Sequence, residues 1–369
     1  MLYWKYALVL LATATALAAC SAREQATLPT AAVLVPTGAA TSAPATEATA
    51  TPTRIAPTAM PSTVLPSPTP DPWAQYAPYT IEGLRARSYG GGKIEILETL
   101  EETANFTRYL IAYPSDGLRI TGMLNRPHGD GPFPVVILNH GYYPLDVYQT
   151  GNGSKLAADY LANQGFLTIA PDFRSHAGSD DAINYFRAGH VIDALNLIPL
   201  AQQLPSARPG KVGMWGHSNG GAITAKAITI SDQIAAAVIY SPASSNISED
   251  YEFRLERSRS RGGAPTGPRA AIAQVETEFP VTPAQAPDLY ERLSPLPYLN
   301  YVTAVVQIHW GSADETVPRI WPGDLLAGLQ AAGKSVEYFE YAGEPHSFTR
   351  AGNQLYLPRI AQFFTQHLL

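Results

Sequence analysis

Gly216-His217-Ser218-Asn219-Gly220 is the segment of this chain best suited to covalent chemistry. It follows a short apolar run, Lys211–Trp215, and opens a stretch rich in Ala and Ile. Strand, tight turn and helix in that order expose a serine hydroxyl at the end of a sheet. Glycines on either side of the serine relieve the crowding of such a turn. A serine at neutral pH needs a base to take its proton. The histidine placed for this is His346, in Gly343-Glu-Pro-His-Ser-Phe348 after the last apolar run; His309 lies inside a strand and His367 in the terminal helix. An acid must hold the imidazole and stabilise its cation. Asp314 in Gly311-Ser-Ala-Asp-Glu-Thr-Val-Pro318 is the candidate, with Glu315 beside it as the alternative. Negative charge on the attacked oxygen calls for two N–H groups. Asn219 supplies one as the residue after the serine; Tyr142, in Asn139-His140-Gly141-Tyr142, is the candidate for the other, unless His140-Gly141 only shapes the turn. This is acyl-transfer chemistry, and it requires no metal or organic cofactor.

These residues need a scaffold that brings distant loops together. Phe106–Tyr113 and Leu118–Arg126 alternate about Pro114-Ser-Asp-Gly117, which predicts an antiparallel hairpin. Continuous apolar runs follow at Pro134–Leu138, Gly165–Ala170, Lys211–Trp215, Ala235–Tyr240, Thr303–Trp310 and Val336–Tyr341. Such runs suit strands covered on both faces, hence a parallel sheet. Helical stretches alternate with them at Gly153–Gln164, Phe186–Leu204, Asn219–Ile230, Trp321–Ala332 and Gln354–His367. The prediction is an α/β fold, a mostly parallel doubly wound sheet with an N-terminal antiparallel hairpin. Chemistry in such folds sits at the carboxyl ends of the strands, where the candidate residues lie. Ser241–Leu293 is long for a connection and is a candidate cap. Its segment Glu249–Arg261 carries four acids and four arginines. That pattern fits a solvated helix of mixed charge, or one whose Arg254, Arg257, Arg259 or Arg261 meets an anion. Asp172 is expected to organise a loop.

The chain has 369 residues, of which 15% are charged, and a net charge of −6, which argues against a nucleic-acid partner. Cys20 is the only cysteine, so neither an intrachain disulfide nor a cysteine metal site can form. Lys5 precedes an apolar run from Ala7 to Ala19, as in an export signal. Leu17-Ala18-Ala19-Cys20 resembles the bacterial lipobox, which implies a signal peptide over 1–20, lipidation at Cys20 and an extracytoplasmic, membrane-anchored protein at the cell surface or in the periplasm. Residues 23–72 hold 11 Ala, 11 Thr and 10 Pro and no aromatic side chain. The segment 21–72 is therefore expected to be a disordered tether, and 73–369 the catalytic domain.

Asn139-His-Gly-Tyr142, Pro171-Asp-Phe-Arg-Ser-His-Ala-Gly178, Gly216-His-Ser-Asn-Gly-Gly221, Ser294-Pro-Leu296, His309-Trp-Gly-Ser-Ala-Asp314 and Glu344-Pro-His346 together resemble the α/β-hydrolase superfamily. Within it, they are similar to the catalytic domain of the prolyl oligopeptidase family of serine peptidases, and next to dienelactone-hydrolase-like esterases. The resemblance implies an α/β-hydrolase fold with a cap-like insertion, Ser218, Asp314 and His346 as a triad, and Tyr142 and Asn219 as oxyanion donors. The expected activity is hydrolysis of a small-molecule ester or a short peptide through an acyl-enzyme. The alternative is a catalytically silent α/β-hydrolase fold used as a surface binding protein.

Overall fold

The computed structural model describes residues 71–260 and 267–369. Cys20, the expected signal and nearly all of the expected tether lie outside the described residues. The sheet has nine strands: β1 (Glu95–Glu102), β2 (Phe106–Ser115), β3 (Leu118–Pro127), β4 (Val135–Asn139), β5 (Leu167–Pro171), β6 (Val212–His217), β7 (Ile234–Tyr240), β8 (Val305–Gly311) and β9 (Val336–Tyr341). Their order is β1-β2-β3-β5-β4-β6-β7-β8-β9. The pairs from β1 to β5 are antiparallel, and all later pairs are parallel. From β4 the chain moves one way to β5 and returns on the other side to β6. The carboxyl ends of β4 and β6 therefore flank a switch point, where an open α/β sheet leaves a crevice.

The apolar runs form strands because both faces of the sheet are covered. Ile137, Met214, Ile239 and Ile308 face one core, built with α1 (Ile81–Ala86), α3 (Ala188–Ala201), α4 (Asn219–Ile230) and α8 (Ile320–Ala331). Their neighbours Val136, Leu138, Trp215 and Val238 face a second core, with α2 (Lys155–Asn163) and α9 (Arg350–Leu368). This strict alternation is the period-2 geometry of a strand. Each large apolar side chain so buried contributes about 1.5–3 kcal/mol. Between β7 and β8 lie α5 (Ile247–Ser260), α6 (Gly267–Glu278) and α7 (Pro287–Leu293). They enclose a third cluster that includes Ile247, Tyr251, Phe279, Tyr290 and Leu293. The long insertion is thus a helical layer.

Several local expectations are corrected. The hairpin turn is shorter than Pro114–Gly117: Ser115 pairs directly with Leu118. Asp116 and Gly117 alone form the turn, at φ 52° and 82°, the positive values that a two-residue hairpin loop requires. β1 and α1 have no counterpart in the sequence reading, which begins the sheet at Phe106. All eight residues of β1 are exposed, so it has no buried face to create a hydrophobic period. α3 begins at Ala188 rather than Phe186, because Phe186 and Arg187 adopt positive φ in a 3-10 turn before it. α9 begins at Arg350, four residues earlier than Gln354, where the Thr349 side chain caps it by accepting from the Gly352 N–H.

Candidate active site

β6 ends at His217 and α4 begins at Asn219, leaving Ser218 alone at the corner. Its backbone has φ 57° and ψ −117°. The Ser218 N–H donates to the Tyr240 carbonyl at 2.9 Å, and its own carbonyl accepts from the Ala243 N–H at 3.1 Å. β7 thereby clamps the corner. A Cβ on Gly216 would stand 2.0 Å from the Gly220 carbonyl oxygen, and one on Gly220 would stand 1.9 Å from that of Asn139. No side chain fits at either position, which is the physical content of the Gly-x-Ser-x-Gly spacing. The loop after β4 closes on the same corner: a Cβ on Gly141 would lie 3.3 Å from the Ser218 Cβ.

Asp314 follows β8 and His346 follows β9. The His346 Nδ1 lies 3.0 and 2.9 Å from the two Asp314 carboxylate oxygens. Asp314 Oδ1 also accepts from the Thr316 and Val317 N–H groups at 2.9 and 2.8 Å. Burial favours a neutral carboxyl here. The hydrogen bond from His346 and the Val317 and Thr316 N–H groups outweigh it and hold Asp314 below the usual carboxylate range. An ionised Asp314 fixes the imidazole with Nδ1 as donor and leaves Nε2 as acceptor. Ser218 and His346 line one cavity of about 180 Å³, together with Tyr142, Asn219, Phe253 and Trp321. No hydrogen bond joins Ser218 Oγ to His346 among the described residues; such contacts are often loose before substrate binds.

The other histidines stand elsewhere. His309 is fully buried in β8, bonded to the Tyr341 hydroxyl and the Gln307 side chain. His367 packs its ring against Phe363 in α9. His140 is buried between the Gly141 and Asp172 carbonyls, and burial pulls it down to about 4. Asp172 is buried and accepts from the Thr121, Tyr148 and Thr150 hydroxyls, so it organises its loop as expected. Glu315 does not touch the imidazole. Its carboxylate accepts from the His346 backbone N–H at 3.2 Å.

Asn219 heads α4, and its N–H makes no hydrogen bond among the described residues. Tyr142, on the loop after β4, lines the same cavity. Two supports of the site escape the sequence reading. The His217 Nε2 stands 3.0 Å from the His346 carbonyl, and the two rings lie 4.7 Å apart. Burial, then the neighbouring His346, lowers His217 to about 3, so it is a neutral N–H donor. Tyr240, stacked on His217, accepts the Phe348 N–H on its hydroxyl at 2.5 Å. One residue of β7 thus holds the serine corner by its carbonyl and the histidine loop by its side chain. The arginines of α5 divide. Arg254 and Arg257 line the cavity, while Arg259 is exposed and pairs with Glu256. Arg261 lies outside the described residues.

A family model described as X-Pro dipeptidyl-peptidase (S15 family) matches residues 116–277, which include Ser218. An uncharacterized peptidase of Bacillus subtilis, YtmA, is 25% identical over 260 residues, 69% of this chain and 92% of that protein. The protein is a serine-type hydrolase. The hydrolase is similar in structure to acetyl xylan esterase 1 of a Thermoanaerobacterium species, with TM-score 0.56 and 17% identity over 80% of this chain and 95% of that one. It is also similar to the acylaminoacyl peptidase of Pyrococcus horikoshii, with TM-score 0.57 and 20% identity over 72% of this chain and 42% of that one. These likenesses establish the α/β-hydrolase fold. Peptidases and esterases both stand among its relatives.

Proposed function

We propose that the hydrolase cleaves a carboxylic ester or a peptide bond by way of an acyl-enzyme on Ser218. In this reading, Ser218 Oγ attacks the carbonyl carbon while His346 Nε2 takes its proton. Asp314 keeps the ring in the right tautomer and stabilises the imidazolium. The Asn219 and Tyr142 N–H groups hold the tetrahedral oxyanion. His346 then gives its proton to the departing oxygen or nitrogen, and a water activated by the same histidine releases the acid. The observation that carries the reading is the Asp314–His346 hydrogen bond, directed into the cavity that contains a serine at a left-handed corner. The test is a panel of p-nitrophenyl esters beside aminoacyl-p-nitroanilides. Wild type turns over at least one of the two classes and Ser218→Ala turns over neither. Equal residual rates in the two proteins exclude Ser218 as nucleophile.

The reading extends to location. Leu17-Ala-Ala-Cys20 after an apolar run supports export, cleavage before Cys20 and anchoring of the hydrolase outside the cytoplasm by lipid on that cysteine. Mass spectrometry of membrane-extracted protein then finds an acylated Cys20 as the first residue; a mature chain starting elsewhere rejects the anchor.

A further inference from the structure

Arg254 stands in the wall between two cavities. One contains Ser218 and His346; the second, about 510 Å³, lies past Tyr142 and Asn219 and shares Arg254 and Glu278 with the first. The Arg254 side chain is 19% exposed. Its Nε donates to Asp250 Oδ2 at 2.9 Å, and its Nη2 reaches Asn219 Oδ1 only at 3.5 Å. Its Nη1 has no hydrogen bond to the described residues. Asp250 is buried and shared, because its other oxygen accepts from the buried Arg187 at 2.6 Å. One carboxylate therefore serves two guanidinium groups. Glu278, the other acid on this wall, accepts from Gln274 at 3.2 Å, and the second cavity is lined by Arg174, Arg187 and Arg254 against the two acids Asp146 and Glu278. The local balance is positive. A guanidinium anchored at Nε and open at its far edge is pre-organised for a planar anion.

We infer that Arg254 binds a carboxylate on the acyl part of the substrate, so that the hydrolase favours monoesters or monoamides of dicarboxylic acids and acyl groups with an acidic side chain. The inference rests on Ser218 being the nucleophile. His346 protonates the departing atom, so the leaving group lies on its side of the serine. The second cavity lacks His346 and is reached past the two candidate oxyanion donors, which puts it, and Arg254 at its mouth, on the acyl side.

The test compares mono-p-nitrophenyl adipate with p-nitrophenyl heptanoate, a neutral ester of similar length, and with the hexanoate ester of 4-hydroxybenzoate, which carries its charge on the leaving group. Wild type prefers the adipate over the heptanoate by about tenfold or more in kcat/KM, mostly through KM. Arg254→Gln abolishes that preference, and Arg254→Lys restores part of it. Arg259→Gln, on the same helix but outside both cavities, keeps it. An adipate preference that survives in Arg254→Gln, or a preference for charge on the leaving group, overturns the inference. Labelling of Ser218 by a fluorophosphonate separates the two layers. Labelled wild type without an adipate preference rejects the role of Arg254 alone; wild type that takes no label rejects both.

Discussion

Ser218 occupies a backbone conformation, φ 57° and ψ −117°, that costs a side-chain-bearing residue about 1–3 kcal/mol and glycine little. With Ser218 as the proposed nucleophile, stability and activity are opposed at this one position. Ser218→Ala keeps the strain and Ser218→Gly releases it, so the glycine variant is expected to unfold at higher urea, by about 1 kcal/mol, with turnover absent from both. Equal midpoints would mean that the corner is relaxed. Asp314 and Glu315 are neighbours with different duties. Asp314→Asn removes the anion that orients His346, and kcat is expected to fall by about 10⁴ with the fold intact. Glu315→Gln keeps an oxygen able to accept the His346 N–H, so less than about tenfold is lost. The reverse order of the two effects would move the acid by one residue. Ser218, Asp314 and His346 are legible in the sequence because each follows a strand that announces itself. His217, Tyr240 and the backbone contact of Glu315 are not, because their contacts arise only where the ends of β6, β7, β8 and β9 meet.

Among the helices, α4 contains a contradiction: Lys226 is 2% exposed and its Nζ makes no hydrogen bond to the described residues. Burial, then the nearby Arg187, lowers its amine to about 7 from 10.5. Unfolded, the same amine holds its proton up to about 10.5. Between those values the unfolded chain binds more protons, so this residue makes the fold more stable as pH rises from 7 to 10. Lys226→Met removes the effect. The variant is expected to exceed wild type in stability at pH 7, with the gap narrowing by about 3 kcal/mol at pH 9.5 in urea titrations. A gap independent of pH would show that Lys226 remains charged in the fold. The element pattern also explains what the sequence reveals. Strands covered on both faces read as unbroken apolar runs, and β4 to β9 are found within two residues of their ends. β1 and α1 escape because one buries nothing and the other is six residues long. α5 reads as a solvated helix of mixed charge, and its outward face, with Glu252, Glu256 and Arg259, is so. Asp250 is the exception, buried between Arg187 and Arg254, a pairing between residues 63 positions apart that no local pattern encodes.

For the molecule as a whole, histidines held neutral by burial set the acid limit, His176 and His217 among them. His140, His190 and His309 are held neutral chiefly by burial, His140 down to about 4 and the others well below their usual 6.5. Unfolded, each binds a proton as pH falls below 6.5, whereas the fold does not, so stability is lost from there downward. A Tm that falls between pH 6.5 and pH 5 is expected; a flat Tm from pH 7 to 5 would contradict it. Among the described residues, the sheet also has an open margin at β1. This strand shows water Ile96, Leu97 and Leu100, each more than 40% exposed, beside Glu95, Glu98, Glu101 and Glu102. Its pairing with β2 slips register twice. Unpaired N–H and C=O groups with apolar side chains are a template for another strand, and charge and irregular register are the usual safeguards. Two copies meeting margin to margin would oppose like charges. The colloidal behaviour of the hydrolase is thus expected to depend on a strand distant in sequence from the candidate site. Glu95→Gln, Glu98→Gln and Glu102→Gln together are expected to leave ester turnover intact in dilute solution and to produce concentration-dependent light scattering, as the molecules begin to add to one another's sheets.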